Sequence, residues 1–333
     1  MLLGNLLKSV GKKYQKITVK GICFDSRRLK KGDVFFSIKG NNTSGNHFVT
    51  DVIKKGASAI ISNKELKYKK QAIPILLVKN VRKSLAEASS NLYTKKPKNI
   101  IAVTGTNGKT SVADFFYQIL EFNNIPVASI GTLGIFSRKY KKKTNLTSID
   151  PPSLHKALHK LKKKGIDHVV LEASSHGLKQ KRLDNLNINI GIFTNLSHDH
   201  LDYHKNLNSY LKAKMHLFNN LLKKKRSLII TDEDIKEFKI LKKISHQKKI
   251  QKFTIGTNAG SIVVLNIRYK KNKQFVRILI KSKILTLEIP LIGSFQIKNL
   301  LMAVLAASKC GISIKKIFNK IKEIKPVKGR LET

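Results

Sequence analysis

The 333-residue chain has two cysteines, Cys23 and Cys310. Two cannot build a disulfide framework, and their scarcity fits a reducing cytoplasm. No stretch of eighteen apolar residues occurs, so no membrane span is indicated. The start, Met1-Leu2-Leu3-Gly4-Asn5-Leu6-Leu7-Lys8, lacks a charged region ahead of an apolar core and does not read as a signal peptide. Carboxylates are scarce: 20 Asp and Glu stand against 66 Lys and Arg, a net charge of +46. A charge of that size invites a nucleic-acid reading. Arginine is also scarce, however, at nine residues, and the lysines are scattered through nearly every segment without a nucleic-acid motif. Lys, Ile and Asn share A/T-rich codons, so compositional drift over solvated surfaces explains the charge better than a binding stripe. The expectation is a partner that is neither nucleic acid nor membrane. Long-range attraction still favours anionic substrates, weakly at physiological salt.

At 41% hydrophobic residues the chain can bury real cores, and its length favours two domains. Its organising stretch is Ile100-Ile101-Ala102-Val103-Thr104-Gly105-Thr106-Asn107-Gly108-Lys109-Thr110. A short apolar run reads as a buried strand and empties into a Gly-rich turn. The turn opens a helix with apolar positions at Val112, Phe115, Phe116, Ile119 and Leu120. Strand, turn and helix N-terminus together present backbone N–H groups and a helix dipole to an anion. Lys109 adds a positive charge for outer phosphates, and the Thr110 hydroxyl can ligate Mg²⁺. The common phosphate-loop pattern has glycine where this chain has Val103, so TGTNGKT is a variant loop.

Before that loop, residues 1 to 95 read as an α/β unit of alternating strands and helices. Strands are expected at Ile17–Val19, Gly21–Phe24, Asp33–Ile38, Ala59–Ile61 and Ile75–Val78, with helices at Val49–Lys55 and Val81–Tyr93. The loop Lys39–His47, rich in Gly, Asn and hydroxyls, is either a plain turn or a polar ligand-binding rim. Lys95-Lys96-Pro97-Lys98 reads as a linker, and a larger domain is expected over residues 96–328. Within it, the basic run Arg138–Lys143 reads as a solvated hairpin tip. Pro151-Pro152 starts a helix by fixing φ in its first turn. That helix carries His155 and His159 at i, i+4, a possible metal pair, but flanking lysines favour a solvated face. Ser261–Tyr269, Gln274–Lys281 and Ile284–Ile289 alternate like an antiparallel meander. Gly293–Lys309 is expected to be a closely packed helix.

Asp167–Glu172 reads as a strand that delivers the Glu172 carboxylate at its C-terminal end, where ligands bind in open α/β sheets. Six of the ten histidines lie between 168 and 216, which raises the possibility of zinc. No cysteine is near, and a phosphate loop calls for a hard cation, so Mg²⁺ with Glu172 and His200 as ligands fits better. Taken alone, Lys214 is one more surface lysine.

TGTNGKT, LEASSHGL, TNLSHDHLDYH, YLKAKMHLF, GSFQIKNL and VKGRLET, in this order and spacing, resemble the Mur ligases, and SSHG within LEASSHGL resembles their MurE branch. The resemblance covers essentially the whole chain. It implies a small N-terminal α/β UDP-binding domain and a central ATPase domain with a mostly parallel sheet and a smaller antiparallel sheet. A third, Rossmann-like domain of the family is absent from these 333 residues, with 329–333 as the start of the linker to it. The chain is therefore expected to be part of a longer ligase, and to bind UDP-substrate without forming tripeptide alone.

The implied reaction joins a diamino acid to UDP-N-acetylmuramoyl-L-alanyl-D-glutamate, with ATP and Mg²⁺, through an acyl phosphate. Meso-diaminopimelate is the expected acceptor, with L-lysine as the alternative; other ligases of the superfamily and a non-catalytic nucleotide-binding fragment are the competing readings. A cytoplasmic monomer is expected. The resemblance implies that Thr104, Gly105, Thr106, Asn107, Gly108, Lys109 and Thr110, with Asn299 and Arg330, bind ATP. It implies metal ligation by Thr110, Glu172, His200 and Lys214, the last as a carbamate, which replaces the surface reading of that lysine. It implies UDP-substrate contacts from Phe24, Ser26, Asn41, Asn42, Thr43, Thr147, Ser148, Ser174, Gln180 and Arg182.

Overall fold

A computed structural model describes residues 1–40, 43–66, 73–223, 226–270 and 273–327. The chain forms two compact units. The first comprises Met1–Lys96, Asp150–Lys160 and Gln180–Asn185; the second comprises Pro97–Ile149, Leu161–Lys179 and Leu186–Thr333.

In the first unit, β1 (Gly21–Cys23), β2 (Asp33–Phe36), β3 (Ala59–Ser62) and β4 (Ile75–Leu77) form a parallel sheet in sequential order. Successive side chains alternate faces. Val34 and Phe36 therefore join Ile61 against Leu3, Leu6 and the helix Val81–Leu92, while Phe35 and Ile60 pack against the helix Val49–Lys54. Both faces are covered, which is why β2 and β3 read as unbroken apolar runs. Asn80 caps the Val81 helix by accepting from Lys83 N at 3.0 Å.

This unit also corrects the reading of His155. The helix Pro151–Lys163 turns His155 fully inward, at 0% exposure, rather than onto a solvated face. Burial, with the charge of Lys96 adding to it, pushes its pKa down to about 3. One turn on, His159 meets the Tyr93 ring edge-on at 6.0 Å and accepts from Lys95 N at 3.3 Å. Its lysine neighbours occupy the other faces of a helix whose inward stripe the sequence pattern did not mark.

The second unit holds β5 (Asn99–Thr104), β6 (Val127–Gly131), β7 (Gly134–Ser137), β8 (Tyr140–Lys142), β9 (His168–Glu172) and β10 (Ile190–Phe193). It continues with β11 (Leu228–Asp232), β12 (Gln251–Gly256), β13 (Ile262–Lys270), β14 (Lys273–Ile280) and β15 (Lys283–Ile289). They form one sheet in the order β15-β14-β13-β12-β11-β10-β5-β9-β6-β7-β8. From β6 to β13 all pairings are parallel; β14 and β15 at one edge and β7 and β8 at the other are antiparallel. The basic run is a hairpin, as its composition suggests, and the meander extends the parallel sheet instead of forming a second one. Helices Lys109–Phe122 and Ser294–Lys309 pack into the main core through Phe115, Phe116, Leu300 and Val304. The small residues Ala303, Ala306 and Ala307 let the second of these approach closely.

The strand order locates the site. From β5 the chain moves to β6 and back to β9 on one side, then crosses to β10 on the other. A crevice opens beyond the carboxyl ends of strands at such a reversal. Among the described residues, no helix is long and apolar enough to cross a membrane.

Candidate functional site

The loop after β5 is held by backbone demands and by its neighbour β10. Gly105 and Gly108 have φ of +152° and +83°, conformations that favour glycine. A Cβ on Gly105 would collide with the Thr194 hydroxyl, and one on Gly108 would lie 2.5 Å from Asn299 Oδ1. Thr106 N donates to Asn195 O and Asn107 N to Asn195 Oδ1, each at 2.9 Å. Thr194 Oγ1 donates to Asn107 O at 2.5 Å. The helix then starts at Lys109, so its dipole and first amides face the loop's concavity. Lys109 Nζ donates to Gly105 O at 3.0 Å and Thr106 O at 2.7 Å, which places the ammonium over the loop.

Glu172, buried at the end of β9, faces this loop. Thr110 Oγ1 donates to its Oε2 at 2.9 Å. Thr132, just beyond β6, donates its N–H to Oε1 at 2.8 Å and its hydroxyl to Oε2 at 3.1 Å. A hydroxyl and a carboxylate side by side are hard oxygen donors of the kind Mg²⁺ takes. Among the described residues, no three His, Cys, Asp or Glu are grouped to hold a metal. His200 stands on the same cavity in a left-handed backbone conformation, φ +51°. Its ring meets that of His176 edge-on at 4.9 Å, and its Nε2 lies 3.6 Å from Asp199 Oδ2.

Lys214 is not a surface residue. The helix Leu207–His216 leaves Lys212 exposed and turns Lys214 inward, at 1% exposure. Tyr210 lies one turn earlier on the same inward face. Lys214 Nζ donates to Gly105 O at 2.6 Å and sits 4.1 Å from the centre of the Tyr210 ring. Burial pushes its pKa down to about 6, the charge of Lys109 adds to this, and Asp199 opposes it. Tyr210 donates its hydroxyl to Thr106 Oγ1 at 3.3 Å, and its buried phenol is held above its ordinary pKa. The buried His204 packs against Tyr210, ring centroids 5.1 Å apart.

The phosphate loop, Thr132, Glu172, His200, Tyr210 and Lys214 share a cavity of about 290 Å³ with Thr147 and Ser174 on its wall. Ser148 is buried behind them, donating to Glu172 O at 2.8 Å and accepting from Ser174 N at 2.9 Å. Asn299 is buried on the helix Ser294–Lys309 and donates to Gln296 Oε1 at 3.2 Å. That helix is anchored by Lys298, 2.6 Å from Asp232 and 2.9 Å from Asp234 at the carboxyl end of β11. Phe24, Ser26, Thr43, Gln180 and Arg182 are in the first unit. Ser26 is buried and opens a short helical turn, Phe24 is partly exposed, and Thr43 is exposed. Gln180 Oε1 accepts from Arg182 Nη2 at 2.7 Å and from Arg82 Nη1 at 3.4 Å. Asn41, Asn42 and Arg330 lie outside the described residues.

Sequence reasoning did not flag Thr132, Thr194, Asn195 or Tyr210. Tyr210 had a signal in its i, i+4 spacing to Lys214; Thr132 had none, because nothing local places the end of β6 beside β9.

Residues 18–97 match the family described as "Mur ligase family, catalytic domain", and residues 103–307 match "Mur ligase middle domain". The UDP-N-acetylmuramoyl-L-alanyl-D-glutamate--2,6-diaminopimelate ligase of Rickettsia montanensis is 39% identical over 326 residues, covering 96% of this chain and 67% of the relative. The enzyme of the same name from Brucella melitensis biotype 1 is 38% identical, covering 95% of this chain and 65% of the relative. A solved structure of a ligase of that name superposes with a TM-score of 0.87 at 26% identity, over 100% of this chain and 68% of its own. MurF ligase from Thermotoga maritima in complex with ADP shares the fold, with a TM-score of 0.62 at 18% identity, over 94% of this chain and 67% of its own. The chain thus spans about two thirds of the length of these proteins.

Proposed function

The chain belongs to the Mur ligase family, and from that premise we propose that it is the UDP-substrate- and ATP-handling part of an ATP-dependent amide ligase of peptidoglycan precursor synthesis. The reaction joins 2,6-diaminopimelate, in its meso form, to UDP-N-acetylmuramoyl-L-alanyl-D-glutamate. A substrate carboxylate takes the γ-phosphoryl group of ATP, releasing ADP, and the amine of the diamino acid displaces phosphate from the acyl phosphate to leave an amide. Catalysis of such a transfer is mostly positioning and charge neutralisation.

Loop amides from Gly105 to Thr110 and the Lys109 ammonium hold the phosphates, and Asn299 and Arg330 contribute to the adenine-nucleotide site. The resemblance assigns the muramoyl-dipeptide contacts to Thr147, Ser148, Ser174, Gln180 and Arg182. Phe24, Ser26, Asn41, Asn42 and Thr43 contact the uridine end. Thr110 and Glu172 supply the oxygen donors for Mg²⁺, with His200 and carbamylated Lys214 as further ligands. Bound there, the cation would neutralise charge on the phosphate oxygens. ATP dependence and free thiols at Cys23 and Cys310 fit a cytoplasmic protein.

The observation that carries this reading is the buried Lys214 against the phosphate loop. A plain nucleotide site gains nothing from a second desolvated amine beside Lys109. An amine that is neutral near pH 7 can instead take up CO₂, lose a proton and become an anionic carbamate. The test is calorimetric binding of ATP and of UDP-N-acetylmuramoyl-L-alanyl-D-glutamate to the 333-residue chain. Both should bind, and the UDP-monopeptide lacking glutamate should bind more weakly. A chain that binds ATP but no UDP-dipeptide is a different nucleotide-binding protein, and the reading fails.

A further inference from the structure

We propose that Thr132 is a positioning residue, which fixes the Glu172 carboxylate for cation binding and links it to the acyl-substrate wall of the cavity. This rests on the ligase reading above. Glu172 receives three hydrogen bonds at its carboxylate, and Thr132 gives two of them, one to each oxygen. The third comes from the Thr110 hydroxyl. The Thr110 hydroxyl reaches Oε2 alone, so it leaves the rotation of the carboxylate open. Thr132 is the partner of the two that reaches both oxygens and so fixes the plane of the carboxylate.

The backbone before it is fitted to the same task. A Cβ on Gly131 would collide with Glu172 Oε1, so the end of β6 accepts the carboxylate only as glycine. Gly131 and Thr132 together form the cradle, one by having no side chain and the other by donating twice.

The Thr132 hydroxyl also lies 3.2 Å from Thr147 Oγ1, on the cavity wall. A hydroxyl has one proton. With that proton given to Glu172, Thr132 accepts from Thr147, and the chain of donors runs Thr147 to Thr132 to Glu172. A group seated against Thr147 therefore acts on the orientation of the carboxylate through Thr132. Binding of the acyl substrate and of the cation are coupled by two hydroxyls.

Thr132→Val removes the hydroxyl and keeps the N–H; the position is exposed, so the methyl has room. Thr132→Ser restores the hydroxyl. ATP affinity of the 333-residue chain is measured by calorimetry across a Mg²⁺ series and with a chelator. Loss of a partner behind a metal ligand typically costs 10–100-fold in metal affinity. With one of the two Thr132 bonds kept, the Mg²⁺ half-saturation should rise about tenfold, the lower end of that range. Metal-free ATP affinity should be unchanged, and Thr132→Ser should behave like the parent. Parent-like Mg²⁺ dependence in Thr132→Val overturns the inference. So does an equal loss of ATP affinity with and without Mg²⁺, or a Thr132→Ser as impaired as Thr132→Val, because each marks a merely structural role. Should the parent chain bind no ATP at all, the ligase reading falls first.

Discussion

Replacing Lys214 by methionine should stabilise the second unit while removing the amine proposed to take up CO₂. The side chain is 1% exposed and its amine is held down to about 6 from an ordinary 10.5. Near neutral pH the folded chain carries it uncharged, whereas the unfolded chain binds a proton there. Each pH unit between the prevailing pH and the free value corresponds to about 1.4 kcal/mol. At about pH 7 the penalty approaches roughly 5 kcal/mol, and losing the hydrogen bond to Gly105 O returns about 1–2 kcal/mol of it. A length-matched apolar side chain should therefore gain about 3 kcal/mol. The sign follows from the unfolded state binding the extra proton between about pH 6 and 10.5. Parent stability rises with pH across that window, and the advantage of Lys214→Met shrinks at the same slope. Urea denaturation in CO₂-free buffer at several pH values measures this. Repetition with bicarbonate should stabilise the parent only, since the carbamate forms on a neutral amine. A variant that is less stable at neutral pH, or whose advantage does not change with pH, would refute the argument and return Lys214 to an ordinary charged lysine.

Lys109→Ala should weaken ATP binding by about 3 kcal/mol, the size of a lost electrostatic donor; parent-like affinity by calorimetry would remove the phosphate-loop assignment. Gly131→Ala drives a Cβ into Glu172 Oε1, so its Mg²⁺-dependent ATP binding should fall by about tenfold or more, and an unchanged Mg²⁺ titration would show that Glu172 lies elsewhere. In the first unit, His155 titrates at about 3 when folded, against an ordinary 6.5. The unfolded chain binds the extra proton between those values, so stability falls as pH drops through that window, by about 1.4 kcal/mol per unit. His155→Leu should flatten this acid sensitivity, read from hydrogen exchange of the helix Val81–Leu92; an equally acid-labile variant would count against a buried neutral imidazole.

Local chemistry was legible in the sequence. The β5 strand, its glycines and the following helix declare themselves because backbone conformation and apolar period act within a dozen residues. The Pro151 helix start, the basic hairpin around Arg138 and the Glu172 carboxylate at a strand end follow from equally local rules. Burial was not legible, because it is decided by what packs from elsewhere in the chain. Lys214 and Lys212 look alike in a lysine-rich segment, and only the direction of the helix separates them. His155 was hidden in the same way among lysines. The resemblance, not the residue pattern, singled out Lys214. Thr132 escaped because its function depends on β6 lying next to β9, two strands separated in sequence by the β7–β8 hairpin and a helix.

The first unit is not a continuous stretch of chain. Asp150–Lys160 and Gln180–Asn185 belong to it, and both are made after the loop and helix of the second unit have begun. During synthesis, the segment Met1–Lys96 emerges without the helix that carries His155 and must wait for it. At about 5–20 residues per second, the delay before Asn185 appears is roughly 5–20 s. Through that interval the surface around Tyr93 and Lys96 has no native cover, and it is there that a nascent chain would attract chaperones or proteases. Expressing residues 1–96 alone would make that transient state permanent.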